Sequence, residues 1–354
     1  MNTRIYLDHA ATTNLLDGAR EAMLDGFAQW GNPSSPHGAG RRARSLIEEA
    51  RAGIKQALGW DGDVILTSGA SEAIALAISG ANSGAKASGV LAGATEHDAV
   101  LRHVGAVHRL PVDAGGIVMM PDEITPGALI AIQHVNSETG VIQPLDMLAQ
   151  RIHEAGAYLL ADCSQSAGKL PLPATADLIA ISAHKLGGPI GIGALLVRDL
   201  ALLQPSGGQE QGYRPGTEAM PLALGFAAAL AAGRDWLEQV AQWRATLDAA
   251  IIAAGGEVVA SGSPRLATIG SYRMPGISAQ SQLIRFDMVG IAVSAGSACS
   301  SGSLRTSHVL AAMGWDESAA SQVIRVSMGH DTLSGEIDAF LVEWQAVLTG
   351  TQKK

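Results

Sequence analysis

Residues 157–164 read AYLLADCS and residues 176–185 read ADLIAISAHK, two short apolar runs that each end in polar residues. Neither run alternates apolar with polar positions, which indicates strands buried on both faces. Similar runs lie on either side, at 192–198 (IGALLVR), 128–137 (ALIAIQHVNS), 89–95 (GVLAGAT) and 64–69 (VILTSG). Between them we predict three helices. One begins at Ser71, one passes through residues 101–108, and one begins near Pro144. The alternation predicts an α/β fold with a mainly parallel central sheet and helices on both faces.

The organisation changes near residue 235. At 354 residues the chain is longer than one compact core usually is. Residues 236–256 (WLEQVAQWRATLDAAIIAAGG) form a long predicted helix, and the rest mixes short strands with two more helices. We therefore predict a large domain over residues 15–235. A smaller α+β domain is predicted from residues 1–14 and 236–354.

Composition narrows the class of function. Hydrophobic residues make up 47% of the chain and charged residues 16%, which is typical of a globular protein. The net charge of −9 disfavours direct nucleic-acid binding, although the basic stretch at residues 40–44 could still dock an RNA or a protein. The N-terminus lacks a signal-peptide pattern, and no apolar run is long enough to span a membrane. A cytoplasmic location is expected, where the two cysteines would stay reduced although their number allows one disulfide.

Polar groups collect at the ends of five proposed strands, which read TSGAS, TEH, HVNSETG, ADCSQ and SAHK. Ligands of open parallel sheets bind at these carboxyl ends. Lys185 follows an apolar strand, where a neutral amine could form a Schiff base, and Asp162 could pair with a protonated ring nitrogen. Ser71 opens a helix whose N–H groups suit a phosphate. Together these groups describe a site for pyridoxal phosphate.

Each of these residues also has a structural interpretation. Ser71 could be an ordinary helix cap, and Lys185 could extend from its strand end into solvent. Asp162 could cap the next turn. His97 opens a helix, where its imidazole should be neutral and able to stack or take up a proton, but a lone histidine is more often structural.

The sequence resembles the pyridoxal-phosphate-dependent cysteine desulfurases of the iron–sulfur-cluster and nitrogen-fixation type, in the class V aminotransferase group of fold type I. The matching segments are YLDHAATT (6–13), GNPSSPHGAGRRAR (31–44), TSGASEA (67–73), TEHDAV (95–100), HVNSETGVIQP (134–144), ADCSQSAGK (161–169), SAHKLGGPIGIGAL (182–195), GGQEQGYRPGT (207–217), SAGSACSSGS (294–303) and IRVSMG (324–329). They follow the family's order along almost the whole chain. Gln211 departs from the pattern, since the family often has arginine there.

The resemblance implies a role for each matching residue. Lys185 would carry the cofactor, Asp162 would pair with its ring nitrogen and Gln165 would bond its ring hydroxyl. His97 would stack on the ring and transfer protons. The cofactor's phosphate would be held by Ser71, Ser182 and His184, with Thr217 reaching it from the other subunit of a homodimer. Ala70 and Asn136 would also bind the cofactor. Arg325, helped by Asn136, would bind the substrate carboxylate.

The segment at 294–303 contains only Ser, Ala, Gly and Cys, and by composition alone it could be a linker with an incidental cysteine. The resemblance implies instead that Cys299 attacks the substrate sulfur and carries it as a persulfide. Cys163 is interpreted as a small core residue. Two cysteines cannot supply a metal or iron–sulfur ligand set, so no metal site is expected.

The predicted activity is conversion of L-cysteine to L-alanine, with sulfur delivered to an acceptor protein for iron–sulfur assembly or tRNA thiolation. The alternatives are a selenocysteine lyase, a cysteine sulfinate desulfinase, or another class V aminotransferase or lyase on the same fold. A cofactor-free interaction scaffold is disfavoured because Lys185, Asp162 and Cys299 are all present.

Overall fold

The computed structural model describes residues 4–83, 89–296 and 306–350. The strands are β1 (Ile5–Tyr6), β2 (Asp63–Thr67), β3 (Val90–Gly93), β4 (Arg109–Leu110), β5 (Leu129–Gln133), β6 (Tyr158–Asp162), β7 (Leu178–Ser182), β8 (Gly193–Val197), β9 (Glu257–Val258), β10 (Ile269–Arg273), β11 (Ile291–Ala292) and β12 (Val323–Ser327). The helices are α1 (Asp17–Ala28), α2 (Gly38–Leu58), α3 (Ala70–Ser83), α4 (Asp98–Leu101), α5 (Leu145–Glu154), α6 (Met220–Ala231), α7 (Trp236–Ala253), α8 (Ala279–Met288), α9 (His308–Ala312), α10 (Glu317–Ala320) and α11 (Ser334–Thr349).

A seven-stranded sheet in the order β2-β8-β7-β6-β5-β3-β4 forms the centre of the molecule. The pairs β7–β6, β6–β5, β5–β3 and β3–β4 are parallel. Residues that alternate along the strands enter two different cores, one shared with α2, α5 and α6 and the other with α3 and α4. This arrangement confirms the predicted α/β fold with a mainly parallel sheet and helices on both faces.

Strand β8 differs from its neighbours, because it is antiparallel to both β7 and β2. The segment between β7 and β8 contains only a short 3₁₀ helix, Ala183–Lys185, before the glycine-rich turn. Parallel neighbours need a crossover of a dozen or more residues, whereas a short connection joins antiparallel strands. The reversal therefore follows from the length of this connection.

The C-terminal part of the chain has a core of its own, formed by α7, α8, α11 and the three-stranded sheet β12-β10-β9. The N-terminal segment joins it, since β1 pairs with β11 and Leu7 is completely buried there. Ala10 lies in a smaller cluster between the two regions. The predicted division into two domains stays a prediction.

Candidate active site

The five polar strand ends meet at one edge of the sheet, because β2, β3, β5, β6 and β7 all run in the same direction. Asp162 is the last residue of β6, and Ser182 is the last residue of β7. His97 follows β3 and caps α4, with its Nδ1 accepting a hydrogen bond from the Ala99 N–H at 3.1 Å. In the neutral ring the proton of His97 therefore lies on Nε2.

Lys185 ends the 3₁₀ helix after β7. Burial lowers the pKa of its amine, an effect that the carboxylate of Asp162 opposes and the charge of Arg325 reinforces. His97 keeps part of its surface exposed, but the surrounding protein and Lys185 lower its pKa, with Asp162 opposing both effects. Lys185, His97 and Asp162 therefore influence one another's charge at this edge of the sheet. A lysine that loses its proton readily suits both covalent attachment and proton transfer.

The carboxylate of Asp162 also shapes the turn after β6. Its Oδ1 accepts hydrogen bonds from the Ser164 N–H at 2.8 Å and from the Ser164 hydroxyl at 2.5 Å. Asp162 therefore caps the turn, as its structural interpretation predicted. The two hydrogen bonds from Ser164 hold the carboxylate in place. Cys163 points the other way, completely buried in the core, and burial raises the pKa of its thiol.

The turn between β2 and α3 lies directly against the end of β7. A Cβ built on Gly69 would stand 3.9 Å from the Ser182 Oγ, and one on Gly193 would stand only 2.7 Å from the Cα of Gly69. Ser182 thus faces the N-terminus of α3, where Ala70 and Ser71 present N–H groups without partners inside the helix. Such a cradle of N–H groups and a hydroxyl fits an anion.

The N-terminal segment covers this edge of the sheet. Gln165 donates from Nε2 to the carbonyl of Ala10 at 2.9 Å. His184 bonds to the hydroxyl of Thr12 at 3.1 Å, and burial with the nearby Lys185 lowers the pKa of His184 to about 4. This segment, residues 6–13, matches the family pattern, but no site residue was predicted in it. The N-terminal segment lies more than 150 residues from the residues that it contacts, so no local pattern in the sequence predicts these contacts.

Arg325 lies in the middle of β12, buried beside the Asn136–Ser137 loop. Its Nη2 donates to the Asp8 Oδ1 at 2.7 Å and its Nη1 to the Ser137 carbonyl at 2.9 Å. The Nε of Arg325 is buried and has no hydrogen-bond partner within the described part of the chain. Asp8 was not predicted as a site residue, although it lies in a matching segment. Its carboxylate accepts a hydrogen bond from the Arg325 guanidinium.

The side chain of Asn136 is fully hydrogen-bonded, to its own loop and to residues at the ends of β3 and β5. Its Oδ1 accepts from the N–H groups of Glu138 and Thr139 and from the Thr139 hydroxyl, at 2.8–3.0 Å. Its Nδ2 donates to the Thr95 carbonyl and to the Gln133 Oε1. Both amide donors are thus used, and Asn136 acts on Arg325 by shaping the turn that presents the Ser137 carbonyl.

The predicted residue Thr217 is not brought into this cluster. Thr217 is exposed and follows a loop in which Glu210 and Gln211 both adopt positive φ. Gln211 makes a 3.3 Å hydrogen bond to Asp63 where the family often has arginine. Cys299 lies outside the described residues.

The comparisons with known proteins bear on this site. The family model described as aminotransferase class-V matches residues 5–340. The chain belongs to the class-V aminotransferase family.

Relatives within this family are cysteine desulfurases. The chain is 36% identical to a protein named cysteine desulfurase from Cereibacter sphaeroides, over 96% of this chain and 94% of that one. It is 32% identical to the cysteine desulfurase NifS of Azotobacter vinelandii, over 96% and 91% of the two chains. These matches confirm the predicted resemblance to cysteine desulfurases, and class-V enzymes of this kind generally depend on pyridoxal phosphate.

Solved structures agree with this assignment. A NifS-like protein superimposes with a TM-score of 0.88 at 28% identity, covering 98% of this chain and 100% of that one. The structure titled SspA in complex with cysteine gives a TM-score of 0.80 at 30% identity, over 92% of this chain and 99% of that one. The fold of this class-V chain is therefore that of the NifS-like enzymes.

Neither a membrane span nor a metal cluster is found in the described ranges. No helix there is long and apolar enough to cross a bilayer. No group of three or more His, Cys, Asp or Glu side chains there is arranged to hold a metal ion.

Proposed function

We propose that this chain is a cysteine desulfurase that uses pyridoxal phosphate to convert L-cysteine to L-alanine and receives the sulfur on Cys299. The observation that carries the proposal is the convergence of Lys185, Asp162 and His97 at one sheet edge, in a chain that matches cysteine desulfurases over nearly its whole length. The bound cysteine in one structural relative supports the substrate.

The residues present fit pyridoxal phosphate. Gln165 has a buried Oε1 with no partner among the described residues, and it can accept a hydrogen bond from the ring hydroxyl. The α3 N-terminus and Ser182 would hold the phosphate, and Asp162 would face the ring nitrogen. Lys185 would carry the cofactor covalently. When bound, the cofactor supplies an electron sink for bonds broken at the substrate's carbon atoms.

The protein's own groups would bind substrate and move its protons. Arg325 would hold the substrate carboxylate, in competition with Asp8 for the same guanidinium. Lys185, with its lowered pKa, would take the proton from Cα and return one to the product. His97 would transfer a proton through Nε2, because its Nδ1 is held by the Ala99 N–H.

The transfer of sulfur would be a nucleophilic displacement. The Cys299 thiolate attacks the substrate sulfur, so that a sulfur–sulfur bond forms as the carbon–sulfur bond breaks. The bonding electrons stay with the substrate carbon, which takes up a proton and leaves as alanine. Cys163 cannot perform this step from the core, since it is completely buried and burial raises the pKa of its thiol.

Removal of each cysteine in turn tests the proposal. Alanine formed from L-cysteine is measured with pyridoxal phosphate and a thiol reductant, for the wild type, Cys299→Ser and, as the matched control, Cys163→Ser. We expect alanine from the wild type and the control, and a decrease of more than about 100-fold for Cys299→Ser.

Other outcomes point to the alternatives. Undiminished alanine from Cys299→Ser contradicts the thiol's role, and turnover of selenocysteine or cysteine sulfinate by that variant would favour a lyase or desulfinase. No alanine from the wild type, despite bound cofactor, would refute the substrate.

The assembly is proposed to be a homodimer that delivers sulfur to an acceptor protein. Exposed apolar side chains support a second copy on one face, with Leu24 at 62% and Trp30 at 85% exposed in and just after α1. Thr217 is exposed, as a residue contributed to a partner's site would be. Sedimentation at micromolar concentration tests the dimer, and a monomeric holoenzyme would contradict it.

A further inference from the structure

Glu138 is a buried carboxylate in the HVNSETG segment for which the proposed function has no role. Its side chain is 6% exposed. Its backbone is held in place, because its N–H donates to the Asn136 Oδ1 at 2.9 Å and its carbonyl accepts from the Ser271 hydroxyl at 2.7 Å. Burial raises the pKa of this carboxyl, while the hydrogen bond from Ser307 and the charges of His308 and Arg325 act in the opposite direction.

One oxygen of this carboxylate lies against Gly296, the last described residue before residues 297–305, and accepts a hydrogen bond from Ser307, the second described residue after them. The Ser307 hydroxyl donates to the Glu138 Oε2 at 2.5 Å, and the same hydroxyl caps α9 by accepting from the Leu310 N–H at 3.1 Å. A Cβ built on Gly296 would lie 2.1 Å from the same Oε2. The backbone of Gly296 therefore lies directly against the carboxylate, and a side chain at this position would displace the Glu138 carboxylate.

The same loop holds the guanidinium proposed to bind substrate. Ser137, next to Glu138, accepts a hydrogen bond from Arg325. Ser294, two residues before Gly296, exchanges two backbone hydrogen bonds with Arg325, at 3.1 and 2.6 Å. Glu138 thus connects Arg325, which is proposed to bind the substrate carboxylate, to both sides of the segment that contains Cys299.

We propose that Glu138 is a positioning residue for sulfur transfer, because its carboxylate fixes Gly296 and Ser307 relative to Arg325. Fixing both ends of a segment limits where its middle residues can go. Cys299 falls between these ends in the sequence, so the two anchors restrict its approach to a substrate held at Arg325. The inference rests on the proposed function, in which Cys299 receives the sulfur.

The test separates sulfur transfer from the steps that precede it. The first readout is the rate at which persulfide forms on Cys299 of the holoenzyme in a single turnover, followed by mass spectrometry. The second is exchange of the alanine Cα hydrogen for deuterium in D₂O, followed by NMR, which needs the cofactor, Lys185 and Arg325 but no thiol.

Glu138→Ala should slow persulfide formation by about tenfold or more, the size expected for a lost hydrogen bond to a charged group. Alanine exchange should stay within about twofold of the wild type, because the groups that handle Cα are untouched. Ser307→Ala removes only the downstream contact, so it should slow persulfide formation less. The double variant should be no slower than Glu138→Ala, since both changes remove one interaction.

Glu317→Gln is the matched control. The Glu317 carboxylate accepts a hydrogen bond from Thr306 at 3.2 Å, beside Ser307, but it is exposed. We expect wild-type values for both readouts in this variant.

Persulfide formation at the wild-type rate in both Glu138→Ala and Ser307→Ala would overturn the inference. So would an equal loss of persulfide formation and alanine exchange, because that result indicates general damage to the site. If Glu138→Ala does not fold, Ser307→Ala decides between these outcomes. A wild type that forms no alanine from cysteine would instead refute the proposed function.

Discussion

His9 shows how strongly the interior of this protein can change a single residue. Its ring is 3% exposed, and a Cβ built on Gly329 would lie 2.1 Å from its Nδ1. Burial lowers the pKa of His9 to about 4, although the carboxylate of Asp331, 3.7 Å from the Nε2, acts in the opposite direction. The ring is therefore neutral in the folded protein at neutral pH.

This shift predicts a stability that depends on pH. Between pH 6.5 and about 4, an unfolded chain protonates His9 whereas the folded chain does not, so the free energy of unfolding falls as the pH is lowered. His9→Asn should make this dependence shallower, by up to about 3 kcal/mol across the window. Urea unfolding at a series of pH values measures the slope.

The control for this prediction is His108→Asn, which replaces an exposed histidine in the 3₁₀ helix after α4. Its ring is solvated in both states, so its replacement should leave the slope unchanged. A slope for His9→Asn equal to that of the wild type would mean that His9 does not account for the acid sensitivity.

At the scale of elements, the contact between β8 and the β2–α3 turn positions the proposed phosphate cradle. A Cβ on Gly193 would lie 2.4 Å from the Ile181 carbonyl and 2.7 Å from the Cα of Gly69. Both neighbours are backbone atoms, which cannot turn away as a flexible side chain could. Only glycine therefore allows β8 to approach the turn so closely.

Gly193→Ala should push this turn away from Ser182. We expect a loss of about 1–3 kcal/mol in the free energy of unfolding, as for other overpacked sites. The affinity for pyridoxal phosphate should fall by about tenfold, since a small displacement of a preorganised site is costly. Cofactor titration and denaturant unfolding measure the two effects.

Gly53→Ala is the corresponding control inside α2. There the new Cβ would make an ordinary 3.5 Å contact with the Ala227 Cβ, and alanine favours a helix by up to about 1 kcal/mol. The control should keep its cofactor affinity and gain slightly in stability. Undiminished affinity in Gly193→Ala would remove the support for a phosphate at the α3 N-terminus.

At the scale of the whole molecule, we propose that residues 15–235 form one domain and that residues 1–14 and 236–354 form the other. The separate core around α7, α8 and α11 supports this division, as does the pairing of β1 with β11. Leu7 is completely buried in that second core. The N-terminal segment would then be part of the small domain while also covering the site.

Leu7→Ala tests the division by weakening one core selectively. A cavity at this position should cost about 2–5 kcal/mol. Limited proteolysis should then cleave first within residues 236–350, because local opening follows local stability. Ile65→Ala, at a buried site in the core of the central sheet, should instead expose the large domain. Cleavage spread equally over both regions in both variants would contradict two independent cores.

The sequence predicted the framework of this protein because its signals are local. Short runs of mostly apolar residues specify β5, β6, β7 and β8 as buried strands, since each strand must remove its side chains from water on both faces. The polar residues after parallel strands must meet at one edge, and Lys185, Asp162, His97 and Ser71 were predicted in this way. The helix expected through residues 101–108 was wrong, since α4 ends at Leu101.

Contacts between residues far apart in the chain could be seen only in the folded protein. The pairing of Asp8 with Arg325, the hydrogen bond from Asn136 to Thr95 and the position of Glu138 against Gly296 and Ser307 have no periodic signal. The antiparallel direction of β8 was also not predicted from the sequence. The hydrophobic pattern specifies which segments are buried. Which charged or polar residues pair with one another depends on where the segments lie in space after they have packed.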